Sequence, residues 1–246
     1  MEIDPLPYWI GYDAREREAF DVAMFSAQRK SSIPLVVRPL KARDLRGSGL
    51  FTREWRTENG IMHDVVDGRP FSTEFAFTRF LVPALQNYQG WALFTDCDVL
   101  WLDDIGKLLA ERDNRYAVMV VKLDHVPETT RKMDGQIQSW YPRKNWSSVI
   151  LWNCSHPANR ALTPNIVNTM TGEFLHRFSW LTDAQIGALD PGWNFLVGYS
   201  KRWKVKPRLM HFTEGGPWFD HMRDCPFASW WTTEYDEMMK TEGRFE

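Results

Sequence analysis

The chain has 246 residues, of which 43% are hydrophobic, so it is long enough to bury one large α/β core, and we favour a single domain over two small ones. A formal charge of −2 argues against a chain that holds nucleic acid by bulk electrostatics, although it leaves a local basic groove open. Three cysteines without metal-ligand spacing, no signal-peptide pattern and no apolar run of membrane-spanning length predict a cytoplasmic protein with no transmembrane segment.

The first elements predict a strand, a turn and a helix in succession. An apolar run over residues 8–12 ends at Asp13 and predicts the strand. Residues 15–30 predict the helix, because four apolar residues follow the spacing of one buried face. They are Phe20, Ala23, Met24 and Ala27. A further short strand is predicted over residues 33–37.

Residues 38–60 carry six basic side chains against few acidic ones, and with Gly47 and Gly49 among them they predict a mobile basic loop. The six cations are Arg38, Lys41, Arg43, Arg46, Arg53 and Arg56. Residues 73–86 return to helical spacing and predict a helix, on which Arg79 lies off the apolar face.

Residues 91–105 are the most informative part of the sequence. An apolar strand of buried type leads directly into Asp96 and Asp98, which form the only D-x-D triplet of the chain. In an extended segment, side chains two positions apart leave the same face, so both carboxylates can bind one hard cation. Open α/β sheets also bind their ligands at the carboxyl ends of strands.

The remaining patterns alternate between strands and helices. In chain order they predict a helix over 105–111, a strand over 116–123, a polar substrate-side excursion up to 144, a strand over 146–152, a helix over 164–178 and a helical turn over 182–189. Basic and apolar residues alternate over 204–209 and predict an edge strand with one basic and one apolar face. Trp230 and Trp231 are expected to pack a last helix onto the body.

His211 follows that strand and precedes Gly215 and Gly216, whose lack of side chains would let backbone N–H groups approach phosphate oxygens. Together with Asp96 and Asp98 it makes a ligand set with open positions, suited to Mn²⁺ or Mg²⁺ carrying a diphosphate. The sequence therefore predicts a divalent-metal site built from two distant parts of the chain.

In the order of its motifs the chain resembles the retaining glycosyltransferases of family 8, the GT-A group that includes glycogenin and bacterial lipopolysaccharide glycosyltransferases. The resemblance spans nearly the whole chain, and its ordered recurrence is more specific than any one motif. The matching segments are Ile10-Gly11-Tyr12-Asp13, Thr78-Arg79-Phe80-Leu81-Val82-Pro83, Phe94-Thr95-Asp96-Cys97-Asp98-Val99, residues 147–153, Asp183-Ala184-Gln185-Ile186 and the loop from His211 to Trp218.

The resemblance implies a GT-A fold, with a Rossmann-like nucleotide-binding half and a mixed central sheet flanked by helices. Residues 1–105 would bind the nucleotide-sugar, and residues 106–246 would bind the acceptor and complete the metal site. The implied reaction moves a hexose or similar sugar from a UDP-sugar to a hydroxyl acceptor with retention of configuration, and requires Mn²⁺ or Mg²⁺.

The same resemblance implies the roles of individual residues. Tyr12 and Asp13 would contact the uracil and ribose, and Arg79 would face the diphosphate or the sugar. Either Asp183 or Gln185 would lie below the sugar and stabilise positive charge at its anomeric carbon. The other expected donor contacts lie beside the metal ligands Asp96, Asp98 and His211. They are Cys97, Gly215, Gly216 and Trp218.

The chain departs from the family pattern where a lysine usually precedes Pro-Trp in the histidine loop, because Gly216 stands there. Either Lys201, Arg202 or Lys206 replaces that charge, or the metal and Arg79 alone neutralise the diphosphate. Trp146 also stands where an asparagine is usual.

Each prediction has a structural alternative. Asp13 could simply cap the following helix, Arg79 could form a surface ion pair, and Asp183 could be a first-turn helix carboxylate. At the level of function, paired carboxylates also serve metal-dependent nucleotidyltransferases and phosphohydrolases, for which Asp103 and Asp104 are the nearest additional carboxylates. A non-catalytic binder of nucleotide-sugar is the third possibility.

The sequence leaves the acceptor open. The two basic stretches are compatible with an acidic glycan, a phosphorylated lipid or a nucleic acid, including a modified base on DNA, and DNA is the less favoured of these.

Overall fold

The computed structural model describes residues 4–123, 131–132, 136–137, 143 and 145–242. The strands are β1 (Leu6–Gly11), β2 (Leu35–Leu40), β3 (Trp55–Glu58), β4 (Ile61–Asp64), β5 (Pro70–Phe71), β6 (Trp91–Thr95), β7 (Val99–Trp101), β8 (Val118–Val120), β9 (Arg131–Lys132), β10 (Gln136–Ile137), β11 (Val149–Asn153), β12 (Ile186–Ala188), β13 (Phe195–Leu196) and β14 (Leu209–His211). The α-helices are α1 (Arg17–Lys30), α2 (Ala42–Gly47), α3 (Val82–Leu85), α4 (Ile105–Ala110), α5 (Pro164–Thr169), α6 (Gly172–His176) and α7 (Ala228–Glu242). Short 3₁₀ helices occupy Ala14–Glu16, Thr78–Leu81, Trp146–Ser148, Pro157–Ala161, Asp183–Gln185, Pro191–Asn194 and Asp220–Met222.

The centre of the molecule is a mixed six-stranded sheet in the order β12-β8-β11-β6-β1-β2. Strand β1 runs parallel to β2 and β6, whereas β11 runs antiparallel to β6 and β8. Every residue of β11 is buried, as are all but the first residue of β6, because helices and loops cover both faces of the sheet. The predicted α/β architecture with a mixed central sheet flanked by helices is confirmed.

A second, three-stranded sheet has the order β13-β14-β7 and brings distant parts of the chain together. Strand β14 runs antiparallel to β7, so that His211 is paired with Val99. Since Val99 directly follows Asp98, this register places the histidine beside the D-x-D turn. The backbone N–H of Phe212 donates to the carbonyl of Asp98 at 2.8 Å and fixes the same alignment.

The expectation of a mobile basic loop over residues 38–60 is wrong. This stretch contains α2 and strand β3, and β3 belongs to a third sheet in the order β3-β4-β5. Arg53 is buried and donates to both carboxylate oxygens of Asp64, through Nε at 2.9 Å and Nη2 at 2.5 Å. Its Nη1 donates to the carbonyls of Val167 and Met170, so one of the six cations organises the interior rather than the surface.

Two predicted helices are interrupted. Within 73–86, the structure has a 3₁₀ helix at Thr78–Leu81 followed by the single turn α3, in which Pro83 cannot donate a backbone hydrogen bond. Within 164–178, two short helices replace one, because Met170 is extended and Thr171 caps α6 through its side chain.

Several predicted strands are shifted or shorter. The strand predicted over 33–37 is β2, the one over 116–123 narrows to β8, and the one over 146–152 begins as a 3₁₀ turn before β11. The turn predicted over 182–189 ends at Gln185 and continues as β12. The edge strand predicted over 204–209 is wrong except at Leu209, since the strand there is Leu209–His211 and it lies centrally between β13 and β7.

Other predictions are confirmed. Strand β1, helix α1, strand β6 and helix α4 lie where the sequence patterns place them, within a few residues. Trp231 on α7 is buried against the body, and α7 contacts α1. Most of the polar excursion predicted up to residue 144 lies outside the described residues.

Candidate metal centre

Asp96, Asp98 and His211 meet at one point of the structure. All three are buried, and each offers one ligand atom that lies within 4.8 Å of the other two. Asp96 follows the last residue of β6, Asp98 precedes β7, and His211 ends β14. The Nε2 atom of His211 lies 3.3 Å from Oδ1 of Asp98. Three side chains from two separate sheets thus converge.

The hydrogen bonds around His211 define its tautomer. The side-chain amide of Asn194 donates from Nδ2 to the backbone carbonyl of Asn145 at 2.9 Å, which leaves Oδ1 of Asn194 as the acceptor. That oxygen lies 2.8 Å from Nδ1 of His211, so Nδ1 carries the proton. The lone pair of Nε2 is therefore aimed at the two carboxylates, as in histidines that bind a metal.

This chemistry fits a divalent ion. Nε2 of His211 is buried and has no hydrogen-bond partner among the described residues, a costly state for a polar atom that a coordinate bond would relieve. Two carboxylates and one imidazole leave open positions, as sites that carry a phosphate-bearing ligand on Mn²⁺ or Mg²⁺ require.

Arg79 is 4% exposed and faces Asp96. Its Nη1 donates to Oδ1 of Asp96 at 2.7 Å and to the carbonyl of Ser147 at 2.8 Å, while Nε donates to the carbonyl of Ala76 at 3.1 Å. The alternative of a surface ion pair is thus wrong, since the pair is buried. The predicted contact with a diphosphate or sugar stays a prediction, but the guanidinium already lies beside a metal-ligand candidate.

A cleft that opens to solvent lies next to the cluster. Its lining includes Arg79, Asp96 and Asp98, together with residues of the β4–β5 connection and of α6. Further polar lining comes from Ser147 and His176, whose Oγ and Nδ1 atoms are hydrogen-bonded at 2.8 Å. The cleft thus brings polar side chains and the two carboxylates of the cluster to one solvent-accessible surface.

The predicted base-binding residues lie at the end of β1. Tyr12 is half-buried, with the Nζ of Lys41 4.5 Å from its ring centre. Asp13 is fully buried and caps the following 3₁₀ helix by accepting from the backbone N–H of Arg15 at 3.0 Å. Its carboxylate also accepts from the Arg15 guanidinium at 2.6 Å and from the N–H of Glu74 at 3.1 Å. Asp13 thus has the capping role, and its contact with a nucleotide stays a prediction.

The thiol of Cys97 points into the core. It is fully buried, and its Sγ lies 3.5 Å from a carboxylate oxygen of Glu16. Burial, with the nearby carboxylates of Glu16 and Asp98, raises the pKa of the Cys97 thiol well above its ordinary value. The thiol is not part of the described cavity lining, so a contact between this side chain and the donor is not supported.

Gly215, Gly216 and Trp218 form a tight turn after His211. Gly215 has φ +108°, a conformation that other residues rarely adopt. A Cβ on Gly216 would lie 2.2 Å from the ring of Trp218, which itself packs on Phe212 and Trp231. The two glycines therefore allow this packing. Their predicted approach to phosphate oxygens stays a prediction.

Asp183 and Gln185 lie in a surface turn. The side chain of Asp183 is 85% exposed and forms an ion pair with Arg143. Oε1 of Gln185 accepts from the backbone N–H of Thr182 at 2.9 Å and closes a capping box. Neither is among the described residues that line the cavity, so their predicted contact with the sugar is untested.

Sequence patterns did not identify Asn194 and Asn145, which fix the histidine, or His176 and Thr213 in the cavity wall. The sequence offered only a turn signal near Asn194, the Pro-Gly pair ahead of Trp193. These four residues come close to the cluster and its cleft through contacts between distant parts of the chain, which local sequence patterns do not reveal.

No model of a protein family matches the chain. Protein CDI of Arabidopsis thaliana is 47% identical over 243 residues, which is 97% of this chain and 89% of that protein. The chain belongs to the family of Protein CDI.

Among solved structures, the WbbM bifunctional glycosyltransferase superposes with a TM-score of 0.60 at 15% identity, over 97% of this chain and 52% of the WbbM chain. GlyE of Streptococcus pneumoniae TIGR4, a glycosyltransferase, gives 0.57 at 14% identity, over 98% of this chain and 63% of its own. The galactosyltransferase LgtC, with donor and acceptor sugar analogues bound, superposes with a TM-score of 0.52 at 14% identity, over 94% of this chain and 96% of the LgtC chain. This member of the Protein CDI family therefore has the GT-A fold.

The chain spans about half the length of WbbM and less than two thirds of GlyE. No helix in the described part of the chain is long and apolar enough to cross a membrane.

Proposed function

We propose that this Protein CDI relative is a metal-dependent retaining glycosyltransferase that moves a hexose or similar sugar from a UDP-sugar to a hydroxyl acceptor. The single observation that carries the proposal is the convergence of Asp96, Asp98 and His211 within 4.8 Å at the carboxyl end of a central strand. The GT-A fold, which the glycosyltransferases named above share, supports it.

The reaction breaks the bond between the anomeric carbon and the UDP oxygen and forms a bond from that carbon to the acceptor oxygen. The bonding electrons leave with UDP, and the acceptor hydroxyl loses its proton. Asp96, Asp98 and His211 would hold Mn²⁺ or Mg²⁺, which when bound would supply Lewis-acid stabilisation of the charge on the departing diphosphate.

The protein residues around the ion site have roles of their own in this proposal. Arg79 holds Asp96 in place and brings a fixed positive charge to the cavity wall, where charge develops on the leaving group. Asn194 keeps the lone pair of His211 pointed at the carboxylates. Asp183 or Gln185 would approach the sugar from the outer turn, and Tyr12 with Asp13 would contact the nucleoside.

The division of the chain is part of the same proposal. Residues 1–105 would bind the nucleotide-sugar, and residues 106–246 would supply the acceptor side and the third metal ligand. The central sheet takes strands from both halves, which supports treating residues 1–246 as one GT-A domain.

A nucleotidyltransferase or phosphohydrolase is less well supported. Such sites use additional carboxylates beside the metal, and the two nearest in sequence are engaged elsewhere. Asp103 forms ion pairs with Lys107 and Arg208, and its hydrogen bond from Lys107 lowers the pKa of the carboxyl. Asp104 caps α4 and accepts from Ser32.

The test is release of UDP from a panel of UDP-sugars, with water as a slow acceptor, in the presence and absence of Mn²⁺. The wild type is compared with an Asp96→Asn/Asp98→Asn variant and with an Asp113→Asn/Asp220→Asn control. The control has the same change in net charge but alters two carboxylates that pair with neighbouring arginines on the surface.

We expect metal-dependent release from one donor, a loss of about 10³-fold or more in the first variant and no loss in the control, because an ion that absorbs leaving-group charge contributes several kcal/mol. Hydrolysis of nucleoside triphosphates without sugar release would favour the nucleotidyltransferase. Metal-dependent binding of UDP without turnover on any donor would indicate a non-catalytic binder.

A further inference from the structure

The turn over residues 201–206 presents the most exposed large hydrophobic side chain of the described structure. Trp203 is 79% exposed, compared with 50% for Val65, the next in order. A tryptophan with this exposure leaves most of its apolar area in water, and its ring, apolar with one polar N–H, is of the kind enriched at membrane interfaces. We refer to residues 201–206 as the Trp203 loop.

The Trp203 loop also carries four basic side chains that take part in no ion pair among the described residues. They are Lys201, Arg202, Lys204 and Lys206. Most other arginines of the described chain are paired with a carboxylate, as Arg29 is with Glu234 and Arg115 with Asp113. Four cations without an ion pair among the described residues thus lie within six residues around one exposed indole, although the chain as a whole has a charge of −2.

The loop is held firmly at its base. Its backbone closes a tight turn, since the carbonyl of Lys201 accepts from the N–H groups of Lys204 at 2.9 Å and Val205 at 3.0 Å. The side chain of Val205 packs against the core cluster around β13 and β14. The guanidinium of Arg202 lies 4.9 Å from the ring centre of Trp230. The indole and the cations therefore project from a turn that backbone hydrogen bonds and the packing of Val205 hold in place.

We propose that the Trp203 loop is a docking surface for an anionic lipid membrane. Tryptophan prefers the boundary between headgroups and acyl chains, and basic side chains beside it are attracted to anionic headgroups. Nucleic acid is a poorer match for this surface, because single-stranded nucleic acid binds to several aromatic rings in succession and the loop offers one. The loop also lies outside the lining of the described cleft, so it is separate from the candidate metal centre. This surface does not depend on the proposed transferase activity.

The test is flotation of the full-length protein with vesicles of phosphatidylcholine alone or mixed with phosphatidylserine, at low and high NaCl. Depth of insertion is measured by quenching of tryptophan fluorescence with brominated lipids. The variants are Trp203→Ala, for insertion, and Lys201→Glu/Lys204→Glu, for charge. Arg112→Glu/Arg160→Glu, two exposed cations outside the loop, is the control with the same change in net charge.

We expect binding only to the phosphatidylserine vesicles and release at high salt. The Lys201→Glu/Lys204→Glu variant should lose about tenfold or more in the partition coefficient, and the Arg112→Glu/Arg160→Glu control should lose little. Trp203→Ala should bind the phosphatidylserine vesicles more weakly, and brominated lipids should quench less of its tryptophan fluorescence. Since the loop is exposed, all variants should keep the wild-type thermal midpoint.

Absence of binding to anionic vesicles, or unchanged quenching in Trp203→Ala, would overturn the proposal. Two further results would replace the lipid with another partner. Tight, Trp203-dependent binding to heparin or single-stranded DNA in the absence of vesicles would indicate a soluble polyanion. A change of oligomeric state in Trp203→Ala, measured by light scattering, would indicate a second copy of this chain.

Discussion

The metal-ligand cluster and the Asp183–Gln185 turn contrast in how their side chains are held. Asp96, Asp98 and His211 are buried and are positioned by contacts between residues far apart in sequence. Asp183 and Gln185 lie on the surface, where Gln185 contacts residues of its own turn and Asp183 pairs with Arg143. The family resemblance assigns both groups to one reaction, but only the first is assembled in the free protein.

This difference indicates when each group should act. A preorganised cluster affects measurable properties of the protein before any substrate binds, namely its stability and its affinity for a metal. A surface turn can contribute only through contacts that form with the substrate. The two regions can therefore be distinguished by variants that are tested both with and without the donor.

The largest expected effect in the free protein is at Arg79. Arg79→Leu should lower the free energy of unfolding by about 3 kcal/mol or more without metal, because it leaves the buried carboxylate of Asp96 without its cation. Mn²⁺ should restore part of this loss. Denaturant unfolding with EDTA and then with Mn²⁺ measures both effects.

The matched control is Arg115→Leu. Arg115 forms an equally short ion pair with Asp113, at 2.6 Å, but its side chain is 79% exposed. Exposed pairs contribute at most about 1 kcal/mol, so this variant should stay close to the wild type and should not respond to Mn²⁺. Equal losses in the two variants would show that burial of the Arg79 pair has no special importance.

Asn194 should affect metal affinity through His211. Asn194→Leu removes the oxygen that accepts from Nδ1 of the histidine, and losses of this kind typically weaken metal binding by about 10-fold to 100-fold. Titration of Mn²⁺, followed by the electron paramagnetic resonance of the free ion, measures the affinity. The result needs no substrate and no turnover.

Asn159→Leu distinguishes orientation of the histidine from general destabilisation. Asn159 is also fully buried, and its amide donates to the carbonyls of Ala117 and Asn153, away from the cluster. We expect this variant to lose stability and keep its Mn²⁺ affinity. Weakened Mn²⁺ binding in both variants would remove the positioning role from Asn194.

The smallest effect is expected at the surface turn. Asp183→Asn should lower kcat by about tenfold, the value of one hydrogen bond made only with the reacting sugar, and should leave Mn²⁺ affinity and the thermal midpoint unchanged. Asp220→Asn, at another exposed Asp–Arg pair, should change none of the three. Full activity in Asp183→Asn would exclude Asp183 from the reaction and leave Gln185 as the candidate.

Sequence patterns predicted the parts of the fold that depend on local spacing. The buried strand β6 could be predicted together with the carboxylates at its end, because apolar content and D-x-D spacing are visible within a few residues. The buried apolar face of α1 could also be predicted, from the spacing of its apolar residues. The metal cluster was predicted as a ligand set, but its geometry required the pairing of β14 with β7.

The failures come from long-range contacts. Arg53 was expected on a solvated loop, and its burial depends on Asp64 in a hairpin strand that shows no clear alternation of its own. The alternation over residues 204–209 resembles a strand, but Lys204 and Val205 close a turn on Lys201, and the strand pairing begins only at Leu209. Asp13 fits both the pattern of a helix-capping residue and the nucleotide-binding turn of the family resemblance, and the local sequence does not show which of the two roles it has.

The ends of the segment between Leu123 and Asn145 have a consequence for protein engineering. The indole N–H of Trp146 donates to the carbonyl of Leu123 at 2.9 Å, so the entry and exit of this segment are tied together. Immediately inside that tie, Asn145 adopts φ +64° and offers its carbonyl to Asn194, which orients the metal-ligand candidate His211. Engineered changes between Leu123 and Asn145 should therefore keep both anchor points, because movement of the Asn145 carbonyl would release Asn194 and disturb the orientation of His211.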